Sequence, residues 1–194
     1  MGYNLKQNAD GSTSLVNNDS SDGIKLMPVP QMSAGAGVTG GTGTIYRSSV
    51  NKVGGIIQTK ILIDLTGLDS TATLSDIIGV DSTTDPCHFG QVPSDIGTVL
   101  SGRVTCLEAP AGGEVDIDIY AADEGTGVTD GLVTSLTETE LLDAAADWTA
   151  GAIKVLTAFP SASQYLYLTT GTSSTPTAGT YTAGKFLIEM ESYE

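Results

Sequence analysis

The chain has 194 residues, 40% hydrophobic and 6% aromatic, with 24 glycines and a formal net charge of −15. That length suits one β domain with a real core, and so acidic a chain repels nucleic-acid phosphates and offers no basic stripe for counterion release, which excludes direct nucleic-acid binding. No run approaches the about 20 apolar residues that span a bilayer, the opening residues to Ser21 lack the charged start and apolar stretch of a secretory signal, and Cys87 and Cys106 are too few for a disulfide framework.

The charge is uneven. Up to Gly55 the cations Lys6, Lys25, Arg47 and Lys52 oppose Asp10, Asp19 and Asp22; beyond it Lys60, Arg103, Lys154 and Lys185 face all the remaining carboxylates. Such a body stays soluble and resists promiscuous self-association before it meets a specific partner.

In chain order, the polar Asn/Ser/Asp tract through Asp22 is expected not to order by itself. Ile24 to Met32 follows, where Pro28 and Pro30 forbid a regular helix and favour an extended chain. Ile24, Leu26, Met27, Val29 and Met32 are the candidate partner-binding residues. Burying such side chains contributes roughly 1.5–3 kcal/mol each, against roughly 1–2 kcal/mol per residue for ordering the backbone. These terms nearly cancel, so the segment is expected to order across a neighbouring subunit, the simpler alternative being that it packs on its own domain. Ser33 to Gly43 reads as a flexible joint. The expected organisation is a Gly-rich arm and linker over 1–44 and a β-sandwich domain over 45–194.

Ile57, Thr59, Ile61, Ile63 and Leu65 alternate with polar residues and predict a strand. Leu100 to Cys106 and Val115 to Tyr120 repeat the pattern, and Pro110-Ala111-Gly112-Gly113 between them predicts a hairpin. Further strands are expected over 152–159, 164–170 and 185–192. Ser135 and Glu138 have capping-box spacing, and Leu141, Ala145 and Trp148 follow helical periodicity, predicting a helix over 137–148. The predicted fold is all-β, an antiparallel β-sandwich, jelly-roll-like, with an extended N-terminal arm and one short helix.

Chemical motifs are weak. Gly35-Ala36-Gly37-Val38-Thr39-Gly40 fits a dinucleotide fingerprint in letters only, since no strand precedes it and no helix is expected to follow. Cys87, His88 and Cys106 match no zinc spacing. Asp116 and Asp118 share one face of a strand, with Asp123 and Glu124 in the following loop, and read as a solvated face more simply than as a hydrolytic pair or calcium ligands. A Ser/His/Asp triad would need His88, the sole histidine, and no GxSxG is present. Trp148, Tyr165 and Tyr167 could stack on a sugar, or pack a core. No catalytic, metal-binding or cofactor-binding residue is assigned, and the chain is expected not to be an enzyme.

Gly97-Thr-Val-Leu-Ser-Gly-Arg-Val-Thr-Cys106, Gly113-Glu-Val-Asp-Ile-Asp-Ile-Tyr-Ala-Ala-Asp-Glu-Gly-Thr-Gly127 and Tyr181-Thr-Ala-Gly-Lys-Phe-Leu-Ile-Glu-Met190 resemble capsid decoration, or cement, proteins of marine and cyanobacterial tailed phages. The resemblance covers roughly the C-terminal half and rests on strand patterns. It implies a noncatalytic virion protein, trimeric, on the outer capsid surface, bridging subunits of the major capsid protein after assembly in the host cytoplasm. The alternative reading is a carbohydrate-binding sandwich, receptor-facing on a virion.

Overall fold

The computed structural model describes residues 3–7, 13–17, 24–26, 32–82, 84–173 and 175–193, and the chain divides into two compact units, Met1–Pro30 and Gln31–Glu194. In the first unit β1 (Tyr3–Gln7), β2 (Thr13–Asn17) and β3 (Ile24–Leu26) form an antiparallel sheet in that order, with Leu5 opposite Leu15 and Leu15 opposite Ile24. This differs from the expected unordered tract and extended arm. Asp10-Gly11 and Asp22-Gly23, dipeptides that favour tight turns, separate runs long enough to pair.

The second unit begins with one helical turn, α1 (Ala36–Thr39), the only α-helix among the described residues. Its strands in chain order are β4 (Ile45–Val53), β5 (Ile56–Asp64), β6 (Asp69–Ser70), β7 (Gly90–Gln91), β8 (Thr98–Ala111), β9 (Ile117–Ala122), β10 (Glu138–Leu142), β11 (Ile153–Val155), β12 (Tyr165–Thr170), β13 (Gly179–Thr180) and β14 (Ala183–Tyr193). A large sheet runs β11-β8-β14-β5-β4 and a small one β10-β9-β12-β7, every pairing antiparallel, with β6 and β13 a separate ribbon.

The sandwich follows from alternation. Along β5 and β14 every second side chain is buried, Ile57, Ile61 and Ile63 on one and Phe186, Ile188 and Met190 on the other. A small internal void lined by Val104 and Phe186 of the large sheet, Ile117, Ile119 and Leu168 of the small one, and Trp148 shows the two inner faces meeting. Trp148 lies edge-on to Phe186, ring centroids 5.1 Å apart, and its indole N–H donates to the Ile117 carbonyl at 2.9 Å. A buried indole needs such a partner.

Three local expectations are corrected. Residues 137–148 hold β10 and a loop, not a helix. The cause is tertiary: Glu138 to Glu140 pair with β9, and Lys154 Nζ donates to the carbonyls of Ala144 and Ala146, using the oxygens a helix would need. Pro110 to Gly113 make no hairpin, since β8 and β9 belong to different sheets. Gly112 has φ of 90°, and a Cβ there would meet the Thr180 carbonyl at 2.5 Å, so the turn residues carry the chain between sheets against β13. Ser33 to Gly43 is not a free joint either. Gly35 N–H donates to His88 O at 2.8 Å, Gly37 N–H to Pro86 O at 2.9 Å, and Val38 is buried.

Two expectations follow. A Cβ at Gly37 would crowd the Cys87 thiol and lie 2.6 Å from the Asp85 carbonyl, so Gly37→Ala should cost about 1–3 kcal/mol in denaturant unfolding; a free joint would show no loss. His88 packs edge-on against Tyr165 at 4.9 Å, its Nδ1 is buried without a partner, and burial holds its pKa below 6.5. The unfolded chain therefore takes up a proton that the fold resists, and this contribution to stability is lost as pH falls below that value. His88→Phe should flatten the decline in melting temperature between pH 7 and 5, and an unchanged decline would refute the assignment.

Candidate interaction face on the large sheet

The same alternation that buries one face of the large sheet presents the other. Exposed large hydrophobics are informative only when they cluster, and here they do. Of the nine among the described residues, Ile45, Leu100, Leu107, Ile153, Val155 and Tyr193 stand on strands of this sheet, each 44% to 66% exposed. Leu100 and Leu107 sit where β8 shifts register against β14. At Leu100 the shift turns outward a side chain that alternation from Gly102 and Val104 would send to the core, whereas Leu107 keeps the outward phase of Arg103 and Thr105.

Between these side chains runs a rung of charge. Register places Arg103 of β8, Glu189 of β14 and Lys60 of β5 side by side. Arg103 Nη2 lies 2.7 Å and its Nε 2.8 Å from Glu189 Oε2, while Lys60 Nζ is 3.1 Å from Oε1. Hydrogen bonds from Arg103, then Lys60, hold the Glu189 pKa below its usual value. Lys185 pairs with Glu108 and, at 3.2 Å, with Asp64; these bonds, Glu108 first, raise its pKa. Gln58 Nε2 donates to Glu191 at 3.2 Å. An open groove along the rung is lined by Gln58, Lys60, Ser101, Arg103, Val155 and Glu191.

The chemistry of this face contrasts with the body around it. Of the six cations on strands of this sheet, Arg47, Lys60, Arg103 and Lys185 share its outward phase, matched by Asp64, Glu108, Glu189 and Glu191. It is thus close to neutral on a strongly acidic unit. Exposed pairs of this kind contribute about 0–1 kcal/mol to a fold. What they supply is a surface whose charges are already compensated before a partner removes water, beside exposed apolar side chains.

The residues singled out from sequence scatter. Ile24 and Leu26 lie in β3; Met27 and Val29 fall outside the described residues. Met32 is corrected: it is buried in its own unit against Gly90, and its carbonyl accepts from Tyr46 and Ser48 at 3.1 and 2.8 Å. Trp148 and Tyr167 are buried and only Tyr165 keeps partial exposure, so the three rings form no sugar-stacking platform. Cys87 and Cys106 are free, buried thiols. Asp116 and Asp118, expected on a solvated face, are both buried, whereas Glu124, beyond the other end of β9, accepts from Thr137 N–H and Oγ1 at 2.8 and 2.7 Å. These three carboxylates share no cleft.

Among the described residues no group of three or more His, Cys, Asp and Glu converges as metal ligands, and no helix is long and apolar enough to cross a membrane. In comparisons with known proteins, no family model, no curated protein and no solved structure matches the chain.

Proposed function

We propose that the chain is a noncatalytic virion structural protein, a capsid decoration or cement protein that docks on the outer shell and bridges subunits of the major capsid protein. In this reading the jelly-roll-like body contributes the outer face of the large sheet and the Met1–Pro30 unit contributes a second contact, within a homo-oligomer for which the resemblance suggests a trimer. The observation that carries the reading is the neutral, apolar-rich face on an acidic body. A catalyst concentrates perturbed, convergent groups in a cleft, but the exposed chemistry here is spread over five strands and compensated pairwise. Surfaces of that kind serve binding.

Two contacts explain how modest interfaces suffice. Once one is made, the other becomes intramolecular, and occupancy exceeds what either alone supports. A protein that binds assembled shell better than free subunits stabilises the shell by mass action. The acidity of the remaining surface disfavours stacking of further copies on those already bound.

The test is occupancy on shells assembled from the major capsid protein. Val155 is 66% exposed, so Val155→Asp should leave folding within about 0.5 kcal/mol of wild type while cutting occupancy about tenfold or more; deletion of residues 1–30 should weaken attachment independently. Folded variants that attach as well as wild type would overturn the proposal.

A further inference from the structure

The outer face of the small sheet is covered, and what lies beneath the cover is acidic. Asp118, Tyr120, Tyr167 and Thr169 all point away from the large sheet and all are buried. Ile77 pairs with Thr169 and Ile78 N–H donates to Leu168 O at 2.9 Å, so segment 76–78 extends the sheet beside β12, while Gly127 N–H donates to the Tyr167 hydroxyl at 3.2 Å and that hydroxyl donates to Glu124 O at 2.8 Å, so the loop after β9 covers Tyr167.

Asp118 is 0% exposed. Its Oδ1 accepts the Ala144 N–H at 2.7 Å, while its Oδ2 has no partner. Directly opposite on β12 stands Thr169, whose hydroxyl is also buried without a partner. The charged neighbours that raise its pKa share its own sign: Asp116 just before β9, Asp143 in the loop after β10, and Glu140 on β10. The segment beside β12 carries Asp76, engaged by Thr71 at 2.5 Å, and the loop between β9 and β10 the exposed Asp130. Lys154 of β11 reaches the adjacent loop but binds the carbonyls of Ala144 and Ala146 and lies 4.4 Å over the Trp148 ring.

An ionised carboxylate in this place would be desolvated, repelled from three sides and half unbonded. Asp118 Oδ2 and the Thr169 hydroxyl, opposed in register, do not reach each other as a hydrogen bond, and a neutral acid leaves such a bare oxygen buried at less cost than an anion would. We propose that Asp118 is carried into the fold as a neutral carboxylic acid and acts as a proton-dependent latch, whose ionisation loosens the junction of β9 with β10 and the loop 143–147. The proposal does not rest on the assembly reading, and its failure would leave that reading untouched.

Burial first, then Asp116, Asp143 and Glu140, push the Asp118 pKa from 3.8 up to about 7. The folded state thus holds a proton that the unfolded chain releases. The group's contribution is fully present below the unfolded value and is lost as pH rises through the folded one, with the folding constant falling up to about tenfold per pH unit in between. Alkali is the destabilising direction, opposite to His88.

Asp118→Asn keeps an acceptor for Ala144, adds a donor facing Thr169 and cannot ionise. Its folding constant relative to wild type should widen by about a hundredfold or more between pH 4 and 8, and wild type alone should lose the infrared carbonyl band of a protonated carboxylic acid over that range. Parallel pH profiles would overturn the latch. So would a wild-type melting temperature at pH 8 that rises with added calcium chloride and falls with chelator, which would mean a cation, not a proton, neutralises the acid. Should the variant fail to fold, hydrogen exchange of the wild-type Ala144 amide decides: protection that falls from pH 5 to 8, after correction for the intrinsic rate, supports the latch, and constant protection refutes it.

Discussion

The structure of the body depends on β14. It is held on both sides along its length, by β8 and by β5, so its two-residue period is imposed on the whole large sheet. One face becomes Phe186, Ile188 and Met190, which must find an apolar partner; the small sheet, plugged by Trp148, is that partner. The other face becomes Lys185, Leu187, Glu189, Glu191 and Tyr193, and its composition is free to serve something else. Core and candidate interface are the two readouts of one strand. Because register is shared, a slip by one residue would exchange them, so the fold protects the face as strictly as the core.

That constraint explains why the face is neutral. Its central rung places Glu189 between Arg103 and Lys60 because three adjacent strands put those positions in line. A lone carboxylate there would make the face as repulsive to an approaching surface as the rest of the unit. Flanked by two cations, it keeps a side-chain exposure of only 16% with its negative charge answered. The apolar residues then lie beside charges that cost less to desolvate than isolated ones. The face is chemically distinct for reasons of placement and not of overall composition.

Sequence carried the strands well and the exceptions badly, for identifiable reasons. The period-two runs at Ile57–Leu65, Leu100–Cys106, Val115–Tyr120 and 185–192 all lie in or against strands, because alternation is a local signal. The segment after Leu136 fits helical spacing equally well. Its outcome was settled by β9 and Lys154, distant in sequence. Gly35 and Gly37 look like slack in a string of letters but serve close approach to Pro86 and Cys87. Leu100 points outward only because of a register shift that no single strand reveals. The face itself left one legible trace: Lys60, Arg103 and Lys185 each sit at the polar phase of a predicted strand. Finding them together needed the strand order.

The buried acids show what alternation cannot tell. Glu114, Asp116 and Asp118 follow one another at two-residue spacing, and all three are buried. Glu114 has both oxygens occupied, Oε1 by the Asp116 N–H at 2.8 Å and Oε2 by the Thr177 N–H. Asp116 has one occupied, accepting from Ser173 N–H at 3.2 Å and from its hydroxyl, and Asp118 has one, filled by Ala144. Backbone N–H groups fill both oxygens of Glu114, whereas Asp118 is left half bonded beside further carboxylates and is better neutral. Along these few residues the surroundings change from a fully bonded carboxyl to one with a bare oxygen, while the spacing and residue types barely change. The difference lies in which loops arrive: Ser173 and Thr177 from after β12 bring donors to Asp116 and Glu114, whereas no described residue brings one to Asp118 Oδ2. A neutral acid leaves that oxygen bare at less cost than an anion would.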